Sequence, residues 1–271
     1  IGFKWWALII AVVFVISELV CVVCVPERPV ACDEKPGKIS DMFKALFKND
    51  QAMTVVVSII LVYTSLNICG NLVLYFFRFD VGNEGAYSIF AAVAFAAQVL
   101  VMMVIPLLRK RFSKSQLFIS GFIIQISGFA VILIMAFAKL YTPQSWYILC
   151  LPGILIYLGY GMLNVIMTIF LSDSVDYGEV MNGTREESVI FSMQTFTVKL
   201  ASGVAVFLAG LVVDWIHLDT AAAVQTQDTL DALRMWMTIP SVILLIVGIF
   251  VFKRFYKLDD TRMEEIKSKL N

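Results

Sequence analysis

The sequence is short of charge and of histidine, and each shortage narrows the possible functions. Charged residues make up 15% of the 271 residues and sum to a formal net charge of zero. A neutral chain gives no electrostatic reason to expect a nucleic-acid partner. His217 is the only histidine, and the chain contains no P-loop motif. We therefore predict no nucleic-acid partner, no metal site, no cofactor and no enzymatic activity.

Apolar residues are what the sequence has in abundance. They make up 60% of the chain, and the mean hydropathy is +0.85. A membrane-spanning helix needs about 20 consecutive, mostly apolar residues. The sequence predicts an all-α polytopic membrane protein with seven spans: Trp5–Val25, Ala52–Phe79, Gly85–Leu108, Gln116–Ala138, Trp146–Leu171, Ser188–Val213 and Met235–Phe252.

The basic residues are distributed unequally between the two sides of these spans. Sixteen of the 21 Lys and Arg residues fall on one side, four fall on the other, and Lys199 lies within the sixth span. Loops rich in Lys and Arg stay in the cytoplasm, so we predict a multi-pass cell-membrane protein with a cytoplasmic C-terminus, in a bacterial inner membrane. We interpret the basic run Arg109–Lys114 as part of this topological signal, with binding of lipid headgroups as the alternative.

A long charged segment separates the first span from the other six. Residues 26–50 contain Pro and Gly early and helically spaced apolar residues late, which predicts a cytoplasmic linker with a short amphipathic helix. We predict that residues 1–25 are the last helix of one six-helix bundle, that residues 51–255 form a second bundle, and that residues 256–271 are a cytoplasmic tail. The missing N-terminal half of the same chain would then be a partner of this part, in the two-bundle architecture of major facilitators.

A lysine in the middle of an apolar span requires an explanation. Lys199 lies 11 residues into the sixth span, and a charge facing lipid at that depth costs at least about 2.5–3.5 kcal/mol. Helical spacing also places Lys199 on a single polar stripe, which consists of Ser188, Ser192, Thr195, Lys199 and Ser202. The stripe predicts the wall of an aqueous path. The alternative is a structural ion pair, although Glu18 is the only carboxylate well inside a span.

The second span carries a smaller set of polar residues. Asn67 and Asn71 are one helical turn apart, with Tyr63 and Thr64 nearby. Hydrogen bonding between helices is one interpretation. Lining of a cavity is the other.

Acidic residues and an arginine precede the sixth span. Asp173, Asp176 and Glu179 are spaced three apart, and Arg185 follows them. These charges predict either a cytoplasmic salt-bridge gate that opens and closes between access states, or a solvated loop in which ion pairs contribute little.

The same region carries a specific resemblance. The core DSVDYGE, Arg185, the lysine 14 residues after it, PER after the first span and KNDQ at the second together resemble the signature of the melibiose permease family, the glycoside-pentoside-hexuronide:cation symporters. These are major facilitator proteins, so the resemblance implies that fold. It is most specific over Asp173–Lys199.

The resemblance implies roles for individual residues. Lys199 would lie near the sugar and cation sites and be needed for coupled transport, and Gln194, Thr195 and Val198 would line the sugar cavity. Asp173, Asp176 and Arg185 would form the cytoplasmic charge lock. The family's type member has a tryptophan at about the position of Asn164, so this chain departs from the pattern there, and Tyr160 is a candidate substitute. The cation site would belong to the missing half.

Three functions remain open from the sequence. The first is cation-coupled (Na⁺ or H⁺) symport of a sugar or glycoside, such as a galactoside, by alternating access in membrane lipid. The second is transport of a hexuronide, pentoside or lysolipid on the same fold. The third is a seven-helix photoreceptor with a Schiff base on Lys199. The position of Lys199 in the sixth span rather than the last disfavours the photoreceptor.

Overall fold

The computed structural model describes residues 2–24, 47–183, 185, 187–222 and 224–270. The chain divides into two units, residues 1–38 and 39–271. The described part of the first unit is helix α1, Gly2–Cys24. The predicted amphipathic helix of the linker falls almost entirely on residues 25–46, which lie outside the described residues.

The described part of the second unit is helical. Its helices are α2 (Asp50–Tyr75, continued by a π-helical turn, Phe76–Asp80), α3 (Ala86–Leu108), α4 (Lys114–Phe137), α5 (Cys150–Asn182, preceded by a 3₁₀ turn, Trp146–Leu149), α6 (Glu187–Trp215), α7 (Gln227–Phe255) and α8 (Asp260–Leu270). Seven described helices, α1 to α7, are long and apolar enough to cross a membrane. The prediction of seven spans is confirmed.

Two helices extend beyond their predicted spans. Helix α5 continues past Leu171 to Asn182, so Asp173, Asp176 and Glu179 lie on a helix rather than in a loop. Helix α7 begins at Gln227 rather than at Met235. In both cases charged side chains find partners within the bundle, and this allows the helix to continue where hydropathy alone predicts its end.

Capping residues determine where helices begin. The side chain of Asn49 accepts a hydrogen bond from the Ala52 amide, and its own amide donates to the Ser174 carbonyl at 2.8 Å, which ties the start of α2 to α5. Ser113 and Gln116 form a capping box at the start of α4. Such caps stabilise a helix start by about 1 kcal/mol.

Helices α4 and α5 pack closely because glycine faces glycine across their interface. A Cβ atom added at Gly159 would lie 2.6 Å from the Gln125 backbone nitrogen and 2.6 Å from the Gly121 carbonyl oxygen. Small residues of this kind allow two membrane helices to approach at backbone distance. Toward the start of α4, Phe118 packs against Phe170 and Phe252, and its ring centroid lies 5.1 and 4.5 Å from theirs.

The second unit has two chemically different ends. We call the end where α2, α4 and α6 begin the basic end, and the end where these three helices finish the opposite end. At the basic end, the Gln51 side chain bonds to the backbone of Phe255 and Lys257. At the opposite end, Arg78 donates to the Thr220 carbonyl.

Candidate functional site

Helix α6 has three distinct faces. One is buried against the bundle: Ala201, Ala205, Ala209 and Val212. A second is apolar and exposed, as expected for contact with lipid: Phe196, Leu200, Phe207 and Leu211. The predicted polar stripe from Ser188 to Ser202 occupies the third face, between the other two. A lipid-facing helix has no need of this third face, so the stripe indicates a water-accessible surface.

Lys199 belongs to that stripe and lies near the middle of α6. It follows the first residue of α6 by 12 positions, which corresponds to about 18 Å along the helix axis. Its side chain is exposed and makes no hydrogen bond or ion pair to any residue that the structure describes. The ammonium is therefore available to a ligand or to another part of the protein. Thr195, one turn away, is also exposed, and among the described residues its hydroxyl bonds only to the Phe191 carbonyl of its own helix.

A second group of side chains lies where α2 and α5 meet. The Asn164 amide nitrogen donates to the Tyr63 hydroxyl at 2.5 Å. The rings of Tyr63 and Tyr160 meet edge to face, with centroids 5.5 Å apart. The structure thus brings together the predicted residues Asn164 and Tyr160 and adds Tyr63, which the sequence placed only among neighbours of the second-span asparagines.

Thr168 connects this group to α6. It lies one turn after Asn164, donates to the Asn164 carbonyl at 3.1 Å, and accepts from the Gln194 amide at 3.4 Å. Gln194 is thereby linked to the polar residues of α5. Val198 is half-buried and packs against the apolar core. We name the set Tyr63, Tyr160, Asn164, Thr168 and Gln194 the midspan cluster.

The asparagines of α2 extend the polar surface toward the opposite end. The amide nitrogens of Asn67 and Asn71 donate to carbonyls one turn earlier in the same helix, both at 2.7 Å. Neither side chain bonds to another described helix, and both are half-buried. The structure favours the lining interpretation over interhelical bonding. Beyond Asn71, a cavity of about 350 Å³ opens between α2 and α6, lined by Tyr75, Gly210 and Asp214 among others.

Arg185 gathers carboxylates at the basic end. It contacts Glu179 at 2.8 Å, Glu187 at 3.1 Å and Asp176 at 3.2 Å. The hydrogen bonds that Arg185 donates to Glu179 and Glu187, followed by the interaction with Asp176, raise the pKa of the Arg185 guanidinium. The Arg185 side chain is nevertheless 48% exposed, so these pairs are well screened by water.

Asp173 does not join Arg185. It pairs with Lys114 at the start of α4, and both side chains are buried. The Lys114 ammonium also lies 3.5 Å from Asp260, which bonds to Arg109 at 3.1 Å. The predicted gate residues therefore divide into two clusters. Sequence reasoning missed Lys114 because it lies within a basic run, although the capping box places it inside the first turn of a helix.

The electrostatics of Asp260 reflect its basic neighbours. Partial burial on its own would raise the pKa of this carboxyl group. The hydrogen bond from Arg109 and the charges of Arg109 and Lys114 outweigh that effect, and the pKa is lowered from its ordinary value of 3.8. Asp260 begins α8, so this carboxylate attaches the C-terminal helix to the cluster. Leu258, Met263 and Ile266 add an apolar contact.

An arginine network also closes the opposite end. Arg234 of α7 bonds to Asp80 through two nitrogens, at 2.9 and 2.5 Å, and to Asp231 at 2.7 Å. Tyr141 donates to the same Asp80 carboxylate at 2.5 Å. Burial, and then the hydrogen bond to Asp80, raise the pKa of the Tyr141 phenol. Hydropathy alone assigns Arg234 no role, because the predicted seventh span begins after it.

Comparison with known proteins provides an independent line of evidence. The model of a family described as MFS/sugar transport protein matches residues 2–260. The raffinose carrier protein of Pediococcus pentosaceus is 24% identical over 99% of this chain and 42% of its own length. The isoprimeverose transporter of Lactiplantibacillus pentosus is 25% identical over 95% of this chain and 52% of its own length.

A lactose permease of Lactobacillus delbrueckii is similar to the same extent. It is 24% identical over 99% of this chain and 42% of its own length. The chain spans about half the length of the curated relatives that it matches.

Proposed function

Because the chain belongs to the family of MFS/sugar transport proteins, we propose that the whole protein carries a sugar or glycoside across the membrane by secondary transport. The observation that carries the proposal is the mid-membrane polar surface: Lys199, which has no hydrogen-bond or ion-pair partner among the described residues, lies on the same helix as Gln194 of the midspan cluster. Major facilitators bind substrate near the middle of the bilayer, between two bundles that expose it to one side at a time. In this proposal, α1 is the last helix of the first bundle and α2 to α7 form the second.

The chemistry of the surface suits a saccharide. Sugars present many hydroxyl groups, which bind amides and hydroxyls, and apolar C–H faces, which pack on aromatic rings. The midspan cluster offers two amides, from Asn164 and Gln194, and the half-buried ring of Tyr63, which packs against the buried ring of Tyr160. A site with aromatic walls and a few polar groups is typical of small-ligand recognition.

Lys199 supports coupling of transport to a cation. An ammonium without a counterion is costly in a membrane, so it favours a nearby carboxylate that alternates between the lysine and a bound cation. In the proposal, that carboxylate is in the other half of the protein. We propose Na⁺ or H⁺ as the coupling ion.

The charged residues at the basic end support a gate. We propose that this end faces the cytoplasm, because the basic loops cluster there, and that the carboxylates Asp176 and Glu179 hold the end closed with Arg185. These ion pairs are exposed and therefore weak, which suits contacts that must break and re-form in each cycle. The buried pair of Asp173 and Lys114, which lies about one turn before Asp176 on α5, would support the gate.

The test is uptake by the full-length protein in membrane vesicles. Labelled α-galactoside would be supplied with and without an imposed Na⁺ or H⁺ gradient, for the wild type, Lys199→Ala and Leu200→Ala. Leu200 is the matched control, since it is the neighbouring residue on the lipid-facing side of α6. We expect gradient-driven accumulation that is lost in Lys199→Ala and retained in Leu200→Ala.

Other results would change the proposal in defined ways. If the wild type accumulates no galactoside with either gradient, that substrate is wrong, and glucuronides, xylosides and lysolipids are tested next. If none of these accumulates, the proposed function fails. If Lys199→Ala accumulates substrate as well as the wild type, transport stands but Lys199 is not the coupling residue.

A further inference from the structure

We infer that Tyr63 of α2 is a sugar-contacting residue that determines specificity in this half of the protein, and that its ring holds the apolar face of the saccharide while Asn164 binds a hydroxyl group. The inference rests on the proposed function and deepens it. It assigns the aromatic contact to a helix other than the one on which the sequence predicted it.

Tyr63 and Tyr160 differ in their exposure to solvent. Tyr160 is 8% exposed, and its ring is fully engaged with the core. Tyr63 is half-buried, so part of its ring faces open space. Of these two tyrosines, Tyr63 is therefore the one that can present an aromatic surface to a ligand. Tyr160 supports it from behind through the edge-to-face contact at 5.5 Å, a geometry that stabilises aromatic pairs by about 0.5–1.5 kcal/mol.

The Asn164 side chain uses only part of its hydrogen-bonding capacity within the described residues. Its amide nitrogen donates to the Tyr63 hydroxyl, and the Tyr63 ring in turn contacts Tyr160. The amide oxygen has no hydrogen-bond partner among the described residues. A side-chain amide carries both donors and an acceptor, so Asn164 holds the Tyr63 ring in place with one end and offers an acceptor to a ligand hydroxyl with the other.

Tyr63 and Asn164 lie at a similar depth in the membrane. Asn164 is the central residue of the span Trp146–Asn182, and Tyr63 lies two residues from the centre of the span Asp50–Asp80. Both residues are therefore near the midplane, at the level where a major facilitator binds its substrate. Gln194 reaches the same level through Thr168.

The experiment compares Tyr63→Leu and Tyr63→Phe with the wild type in full-length protein, using the sugar that the wild type transports. Tyr147→Leu is the matched control, because Tyr147 is an exposed tyrosine in the 3₁₀ turn that precedes α5. We expect Tyr63→Leu to raise the KM for sugar about tenfold or more with little change in maximal rate, because stacking on the ring is lost. Tyr63→Phe keeps the ring and should raise KM by a smaller factor.

A purely structural role predicts a different pattern. Loss of folding would lower the amount of monodisperse protein and the maximal rate. It would also raise the half-saturating concentration of the cation as well as that of the sugar. If Tyr63→Leu is poorly folded, the milder Tyr63→Phe and Asn164→Leu variants carry the test, with the expected increase in sugar KM alone.

The failure of this inference is distinguishable from the failure of the proposed function. A sugar KM that is unchanged in well-folded Tyr63→Leu, in a wild-type background that transports sugar, overturns the role of Tyr63 and leaves the transporter intact. A wild type that transports no glycoside in the panel overturns both.

Discussion

Each end of the second unit contains an arginine with carboxylate partners, but the two arginines lie in different environments. At the opposite end, the Arg234 side chain is 3% exposed, and so is its partner Asp80, which lies 154 residues away in the sequence. At the basic end, Arg185 is 48% exposed, and its partners lie within nine residues of it. One arginine connects distant elements inside the protein, whereas the other gathers its own neighbours in water.

The environment, rather than the number of partners, decides what each cluster contributes. Removing one member of a buried pair leaves an uncompensated charge and costs about 3–5 kcal/mol. An exposed pair contributes about 0–1 kcal/mol, because water and salt screen it. The opposite end is therefore expected to be a fixed clasp and the basic end a contact that can open. Four predictions test this contrast, from the largest expected effect to the smallest.

Arg234→Ala should have the largest effect on stability. It leaves the Asp80 carboxylate buried with the Tyr141 hydroxyl as its one remaining partner in the described part of the chain. We expect the free energy of unfolding to fall by about 3–5 kcal/mol, measured by thermal or denaturant unfolding of the purified protein in detergent. Arg78→Ala is the control at the same end, since that side chain is 43% exposed. Equal effects of the two substitutions would contradict the clasp.

Asp173→Ala should have the next largest effect. It removes the buried partner of Lys114, but Asp260 still lies 3.5 Å from the ammonium. We expect a loss of about 2–3 kcal/mol, below the range for a fully unpaired buried charge. The double variant Lys114→Met with Asp173→Leu should recover most of the loss, because it removes both charges. A double variant less stable than Asp173→Ala would show that the pair itself is needed.

The docking of α8 should depend on pH through Asp260. Its pKa is lowered from 3.8 in the folded protein, so its stabilising contribution is fully present above the unfolded pKa and is lost as the pH falls through the folded value. We expect protection of the α8 amides from hydrogen exchange, corrected for intrinsic rates, to be constant from pH 7 to about 4 and to fall below that.

Asp260→Asn should reproduce the low-pH state of α8 at pH 7. Glu264→Gln is the control, because Glu264 is exposed in the same helix and makes no hydrogen bond to a described residue. If protection is the same in both variants, the contacts of Leu258, Met263 and Ile266 are sufficient to hold the helix, and the ion pair is dispensable.

Arg185→Ala should have the smallest effect on stability, about 1 kcal/mol or less. If its ion pairs form a gate, the variant should instead change the transport rate, since a weakened closed state alters the balance between access states. Unfolding and vesicle uptake would be measured on the same preparations. A loss of stability comparable with that of Arg234→Ala would remove the distinction between the two ends.

Sequence reasoning succeeded where one-dimensional patterns carry the information. The seven spans follow from hydropathy, and the stripe containing Lys199 follows from helical spacing, because both depend only on residues close together in the chain. It did not find Lys114 or Arg234 as buried ion-pair residues. A charged residue near the end of a span has the same sequence signal whether it faces water or a carboxylate from a distant helix.

The sequence by itself determined that the chain crosses a membrane and which face of α6 is polar, since local hydropathy and the period of the helix are sufficient for both. The tertiary structure alone decided that Asp173 pairs with Lys114 rather than Arg185, and that Tyr63 rather than Tyr160 presents its ring. These outcomes depend on which helices are neighbours and how closely they approach. Glycine-mediated packing and buried ion pairs set those distances between residues far apart in the chain.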